Sequence, residues 1–230
     1  MFSEKVVDKS SSYGWIEVIT GSMFSGKTEE LIRRLNRAII AKKKVKIFKP
    51  EVDSRYDKNK VVSHDSNEIN STVVSSSFEI VKLSKGFNVV GIDEAQFFDE
   101  EIVHVCNELA NSGIRVVVAG LDMDFKGNPF GPMPKLMAVA EYVTKVHAIC
   151  SKTGRLANYS FRKKNNDSLV MLGESEEYEP LSRESFFKAI ISDNARKINV
   201  TVEEVLPKKP SNRSVSYTHL TLPTMASVGV

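Results

Sequence analysis

The chain alternates between short apolar runs and longer stretches in which apolar residues recur every three or four positions. Trp15 to Ile19 is the first run and predicts a strand. Leu31, Ile32, Leu35, Ala38 and Ile39 follow at the spacing of an amphipathic helix. Lys42 to Lys44 close it, where cations suit the negative end of the helix dipole. Val45 to Phe48 reads as a second strand, broken by Pro50. Residues 51–72 are polar and turn-rich and read as a long loop region, a length usually associated with function or mobility. Asn88 to Asp93 and Ile114 to Gly120 have the character of strands buried on both faces of a parallel sheet. A helix from about Asp99 to Asn111 is expected between them.

Strands alternating with helices imply an α/β fold, in which ligands sit beyond the carboxyl ends of the strands. The character changes after His147. Short β-like pieces, Leu156 to Phe161 and Leu169 to Leu172, flank a polar segment from Arg162 to Ser168, and a helical stretch runs from about Arg183 to Ile191. A lobe this small is below the size that usually folds alone, so it must lean on the first domain, a metal or a partner. The expected divisions are a loose N-terminus over 1–13, the α/β domain over 14–146, the small lobe over 147–191, an extension over 192–213 and a tail over 214–230. That tail contains no Asp, Glu, Lys or Arg and reads as a non-native or disordered appendage.

Composition narrows the classes. A hydrophobic content of 41% and a charged content of 27% describe an ordinary soluble protein. No apolar run approaches a membrane span, so a cytoplasmic protein without a membrane partner is expected. Two cysteines, Cys106 and Cys150, provide no disulfide framework and fit a reducing compartment. The net charge of +3 is matched by Lys208, Lys209 and Arg213 near the end of the chain, leaving a neutral body. That balance counts against nucleic acid as the main partner.

Gly21, Ser22, Met23, Phe24, Ser25, Gly26, Lys27 and Thr28 follow the first strand and open the first helix. This is the pattern of a phosphate-binding P-loop: glycines let successive N–H groups point inward, Lys27 reaches the β- and γ-phosphates, and the Thr28 hydroxyl can ligate Mg²⁺. Asp93 and Glu94, at the end of a buried strand, form the other half of such a site. Asp93 can hold Mg²⁺ and Glu94 can accept a proton from the attacking group. Water as attacker would make an ATPase, and a substrate hydroxyl would make a kinase. The carboxylate pair alone does not decide between them. A nucleic-acid-stimulated ATPase of recombinase-like architecture and a non-catalytic nucleotide-binding regulator are the competing classes.

The surrounding residues are more specific. The P-loop at 21–28, Asp-Glu-Ala-Gln-Phe-Phe at 93–98 and Gly-Leu-Asp-Met-Asp-Phe-Lys-Gly-Asn-Pro-Phe-Gly at 120–131, followed by the Tyr178 region, resemble in this order the cellular, zinc-ribbon type of thymidine kinase (type II). The resemblance runs from about Gly14 to Phe187. It implies a P-loop NTPase-like, recombinase-like core with a small β-rich lasso lobe. The implied activity is ATP-dependent phosphorylation of the thymidine 5′-hydroxyl in pyrimidine salvage, with deoxyuridine a second acceptor. ATP would contact residues 21–28, Asp53, Ser54, Arg55, Asp93 and Gln96, with Arg55 as charge stabiliser. Thr28 and Asp93 would serve Mg²⁺, and Glu94 would be the catalytic base. Met23, Phe97, Leu121, Phe125 and Phe130 would wall the nucleoside, together with Leu169, Val170, Met171, Leu172, Gly173 and Tyr178 of the lasso. The resemblance also implies a homotetramer and feedback binding of thymidine triphosphate.

One departure stands out. The family's zinc ribbon uses two Cys-x-x-Cys pairs, which here read Cys150-Ser151-Lys152-Thr153 and Ser182-Arg183-Glu184-Ser185. Cys150 is the only remaining ligand of the four. Neutral hydroxyls are poor zinc ligands, so no zinc is expected. His147 nearby reads as a packed or surface residue. Apolar contacts from Ile149, Leu156, Leu181, Phe186 and Phe187 are expected to hold the lobe instead.

Overall fold

The apolar runs become the strands of one parallel sheet. The computed structural model describes residues 13–51, 60–62, 68–163 and 177–192. In chain order the elements are β1 (Trp15–Thr20), α1 (Lys27–Ile40), β2 (Val45–Pro50), β3 (Lys60–Val62), β4 (Glu68–Asn70), β5 (Thr72–Val74), α2 (Ser77–Leu83) and β6 (Val89–Ile92). A 3-10 turn at Ala95–Phe97 leads to α3 (Ile102–Asn111), β7 (Arg115–Gly120), α4 (Met133–Val139) and β8 (Tyr142–Lys145). The small lobe contains β9 (Ala148–Ile149), β10 (Leu156–Ala157), β11 (Tyr159–Arg162) and β12 (Tyr178–Leu181), followed by a helix from residue 183. The chain divides into two units, residues 1–189 and 190–230, and the sheet and its lobe belong to the first. No helix among the described residues is long and apolar enough to cross a membrane.

The main sheet has six strands in the order β5-β2-β6-β7-β1-β8, all paired in parallel. Successive residues of a strand point to opposite faces, and both faces here are covered. Val116 and Val118 of β7 join Ile16 and Val18 of β1 in the core beneath α2, α3 and α4. Val117 and Ala119 of β7 join Ile19 of β1 in the core beneath α1, where Leu31, Ile32 and Leu35 pack. This explains why the central strands read as continuous apolar runs.

Glu17 breaks that run from inside. It lies on the α1 side of β1 at 0% exposure, and its carboxylate accepts from Arg34 of α1 at 2.8 Å, Arg115 of β7 at 2.7 Å and the Trp15 indole at 2.7 Å. Burial works to raise this carboxyl, but the Arg115 hydrogen bond and charge, with Trp15 and Arg34, hold it below its ordinary value. The Arg34–Glu17 pair ties α1 to β1 by charge as well as by apolar packing, and Arg34 also binds Glu30 at 2.8 Å within α1. Those two elements flank the P-loop.

The region expected as one long loop after β2 contains the antiparallel pair β3–β4 and then β5. Strands of three residues are too short to leave a periodic signal. The small lobe also departs from expectation. Leu181 and Phe186 are fully buried, but Ile149 and Leu156 are 61% and 59% exposed and Phe187 is 47% exposed. Ile149 and Leu156 are direct partners across β9–β10, while the alternate pair Ala148 and Ala157 is buried. The larger pair therefore lies on the outward face. Arg162, expected at the start of a polar segment, is the buried last residue of β11.

Candidate active site

The strand order β6-β7-β1 brings three carboxyl ends side by side, and the residues flagged in the sequence continue from each of them. From β1 the chain curls through residues 21–26 into α1. Gly26 caps α1 at φ 81°, a left-handed conformation natural to glycine, and supplies no side-chain cap. Phe24 is also left-handed, at φ 62°. Lys27 Nζ and the Ser25 hydroxyl both donate to the Ser22 carbonyl at 2.7 Å, drawing the loop tight. Glu30, in the first turn of α1, has its carboxyl held below the ordinary range by its hydrogen bond to Arg33 and by Arg34. Thr28 sits half-buried in the same turn.

Asp93 follows β6 and is buried, and its Oδ1 accepts from the Glu94 amide at 3.0 Å. Glu94 is left-handed, at φ 51°, an uncommon conformation for a residue with a side chain and one that tends to mark functional positions. The Gln96 side chain donates through Nε2 to Glu94 Oε2 and accepts through Oε1 from the Leu121 amide at 2.9 Å. Thr20 in turn donates to the Gly120 carbonyl at 3.1 Å. A ladder of hydrogen bonds thus runs from the P-loop strand through the end of β7 to Glu94. Gly131, at φ 49°, holds the far side: a Cβ there would lie 2.4 Å from the Gln96 carbonyl oxygen.

The segment 120–131 is a self-bonded loop rather than a disordered connection. Asp124 Oδ1 accepts from the amides of Lys126 at 2.8 Å and Asn128 at 2.9 Å, and the Phe130 amide donates to the Asp122 carbonyl. Asp122 pairs with Lys145 at the end of β8, at 2.6 Å. This scaffold presents Leu121, Phe125 and Phe130 half-buried, with Phe130 edge-on to Phe97 at 5.7 Å. Met23 is half-buried in the P-loop.

The small lobe reaches the P-loop directly. The Met23 amide donates to Ser160 Oγ of β11 at 2.9 Å, and Ser22 Oγ donates to the Ala157 carbonyl at 3.3 Å. Tyr178 of β12 is buried against Arg162, which also lies over Phe125.

The family model for thymidine kinase matches residues 14–186. The chain belongs to the thymidine kinase family. A thymidine kinase of Bacteroides fragilis is 57% identical over 196 residues, covering 85% of this chain and 98% of that protein. Those of Bacteroides thetaiotaomicron and Porphyromonas gingivalis W83 are each 59% identical over 189 residues, covering 82% of this chain and 95% and 93% of their own.

For a thymidine kinase family member the grouping of sequence-flagged residues is informative. Residues 21–28, Asp93, Glu94, Gln96, Leu121, Phe125, Phe130 and Phe97 all lie at or just beyond the carboxyl edge of the sheet, with Tyr178 joined to them through Arg162. Asp53, Ser54, Arg55 and residues 169–173 lie outside the described residues. Ser160 and Arg162 are contacts that sequence reasoning missed. Ser160 sits in an alternating strand of modest signal, and Arg162 precedes two lysines that made it read as solvated.

Cys150, Thr153, Ser182 and Ser185, the four positions set against a zinc ribbon in the sequence, lie together. Cys150 Sγ lies 3.7 Å from Ser185 Oγ, and the Ser182 hydroxyl is 3.2 Å from Ser185 Oγ. Burial works to raise the Cys150 thiol, but the Thr153 hydroxyl, the Ser182 and Lys152 amides and Ser185 bring it down to about 6. Cys106, in the apolar core, is pushed up to about 12 by burial. His147 is exposed, its Nδ1 2.6 Å from Asn158 Oδ1. One thiol among hydroxyls does not fit a structural zinc ion.

Proposed function

We infer that the chain transfers the γ-phosphoryl group of ATP to the 5′-hydroxyl of thymidine, with Glu94 as general base. The observation that carries this reading is Glu94 itself. It stands in a left-handed conformation at the end of β6, its carboxylate bridged by Gln96 to the β7 end that adjoins the P-loop strand. A proton acceptor so oriented beside a phosphate cradle suits attack by a hydroxyl on a γ-phosphate. The backbone N–H groups of residues 22–27 and Lys27 would hold the triphosphate, and Arg55 would add charge stabilisation.

Thr28 and Asp93 provide a hydroxyl and a carboxylate, both hard oxygen donors, and the buried Asp93 already has one oxygen fixed by the Glu94 amide; this set fits Mg²⁺. When bound, Mg²⁺ would neutralise phosphate charge. Zinc has no role in this reading, because hydrogen bonds among Cys150, Ser182 and Ser185 close the lobe where thiolates would stand.

Met23, Phe97, Leu121, Phe125, Phe130 and Tyr178, with residues 169–173, would enclose the nucleoside. A flat pyrimidine asks for such apolar walls with a few polar groups. Deoxyuridine, lacking one methyl group, would be disfavoured by about 10- to 200-fold. Thymidine triphosphate carries both the base and the phosphates and would occupy both halves of the site as a feedback ligand. Assembly into a homotetramer belongs to this reading through the family resemblance; β8 is an edge strand with Tyr142 and Val143 exposed. A cytoplasmic setting accords with two free cysteines.

A nucleoside panel with radiolabelled ATP and chromatographic product identification tests the reading. Thymidine is expected to give thymidine monophosphate, with turnover reduced roughly 10²–10⁴-fold by Glu94→Gln. Absence of turnover with every pyrimidine deoxynucleoside would reject it.

A further inference from the structure

We propose that Arg162 is a positioning residue for the nucleoside pocket, a single buried cation that locks Phe125 and Tyr178 into one wall; this rests on the thymidine kinase reading above. Arg162 ends β11 at 7% exposure. Its guanidinium carbon lies 3.7 Å from the centre of the Phe125 ring and 5.3 Å from that of Tyr178. Nε and Nη2 both donate to the Tyr178 hydroxyl, at 3.0 and 2.7 Å.

The guanidinium remains charged at any working pH, and burying it is costly unless its surroundings answer the charge. A flat cation can lie against one ring while its in-plane N–H groups reach an oxygen, a combination open to arginine and closed to lysine. Phe125 comes from the loop between β7 and α4, and Tyr178 from β12, directly across from Arg162 in the strand register. Core and lobe thus each supply one aromatic ring, and Arg162 fixes the two against each other. Phe125 remains half-buried and retains surface for a ligand. Walls fixed in advance lose less freedom when the ligand arrives. The effect therefore belongs to nucleoside affinity and not to ATP binding.

The test compares wild type, Arg162→Met, Arg162→Lys, Tyr178→Phe and the Arg162→Met/Tyr178→Phe double variant in steady-state assays with thymidine and ATP varied separately. Loss of a charge-assisted contact is expected to raise the thymidine KM by about 10- to 100-fold in Arg162→Met, with the ATP KM within about two-fold of wild type. Arg162→Lys is expected to recover only part of the loss. The double variant is expected to be no worse than Arg162→Met, because both substitutions break the same contact. Equal rises in both KM values, or strictly additive effects of the two substitutions, would overturn the proposal. Tyr178→Phe deletes one oxygen and decides the matter should Arg162→Met fail to fold: an unchanged thymidine KM there also overturns it. A wild-type protein inactive on thymidine would instead reject the underlying reading.

Discussion

Glu17→Gln removes one charge from the centre of the fold while keeping the side chain's volume. In the wild type the carboxylate answers two guanidinium groups, Arg34 with its side chain 4% exposed and Arg115 at 13%. After the substitution Arg34 keeps Glu30 at 2.8 Å, but neither arginine retains its buried counter-charge. Breaking a buried pair by removing one partner costs about 3–5 kcal/mol. For a chain of this size each kcal/mol lowers Tm by about 2–4 °C, giving a fall of roughly 6–20 °C. Urea unfolding followed by fluorescence is well placed to measure the loss, because Trp15 is the sole tryptophan and its indole donates to Glu17. The pH dependence has a definite sign. The folded carboxyl titrates below its unfolded value, so its contribution is complete above about pH 4.3 and fades as pH falls through the folded pKa. The gap between wild type and variant should therefore be widest near neutrality and narrow in acid. A loss below about 1 kcal/mol at neutral pH, against the range expected for such pairs, or a gap unchanged in acid, would refute the reasoning.

Two further outcomes follow from the site. Gln96→Leu removes the donor to Glu94 and the acceptor for the Leu121 amide; kcat in the same assay is expected to fall about 10- to 100-fold, the scale of one charge-assisted hydrogen bond. Plasma-emission analysis of purified protein should find no stoichiometric zinc, and chelators should leave Tm unmoved. About one zinc per chain would overturn the metal-free reading of the Cys150 cluster.

The parts of the fold legible in the sequence are those in which one physical demand dominates. Strands β6 and β7 are buried on both faces, so nearly every residue is apolar, and the P-loop announces itself because phosphate chemistry fixes residue types at close spacing. What stayed hidden was short or set by distant partners. The seven-residue helix α4 has Pro132 and Pro134 at its start, and β8 is an edge strand whose first two residues are exposed. In α2, Ser76 caps the helix by accepting from the Phe78 amide, a signal submerged among the neighbouring serines. Arg162 looked solvated because local sequence cannot show Phe125 and Tyr178 closing around it. Glu94 and Gln96 were legible as residue types, but the bridge to Leu121 depends on strand order, which no local pattern encodes.

The amide of Met23 has one hydrogen to give, and it gives it to Ser160. Ser22 is held the same way, its hydroxyl donating to the Ala157 carbonyl at 3.3 Å, so the P-loop and the strands β10 and β11 share two hydrogen bonds and the loop's shape rests on the small lobe as well as on the sheet.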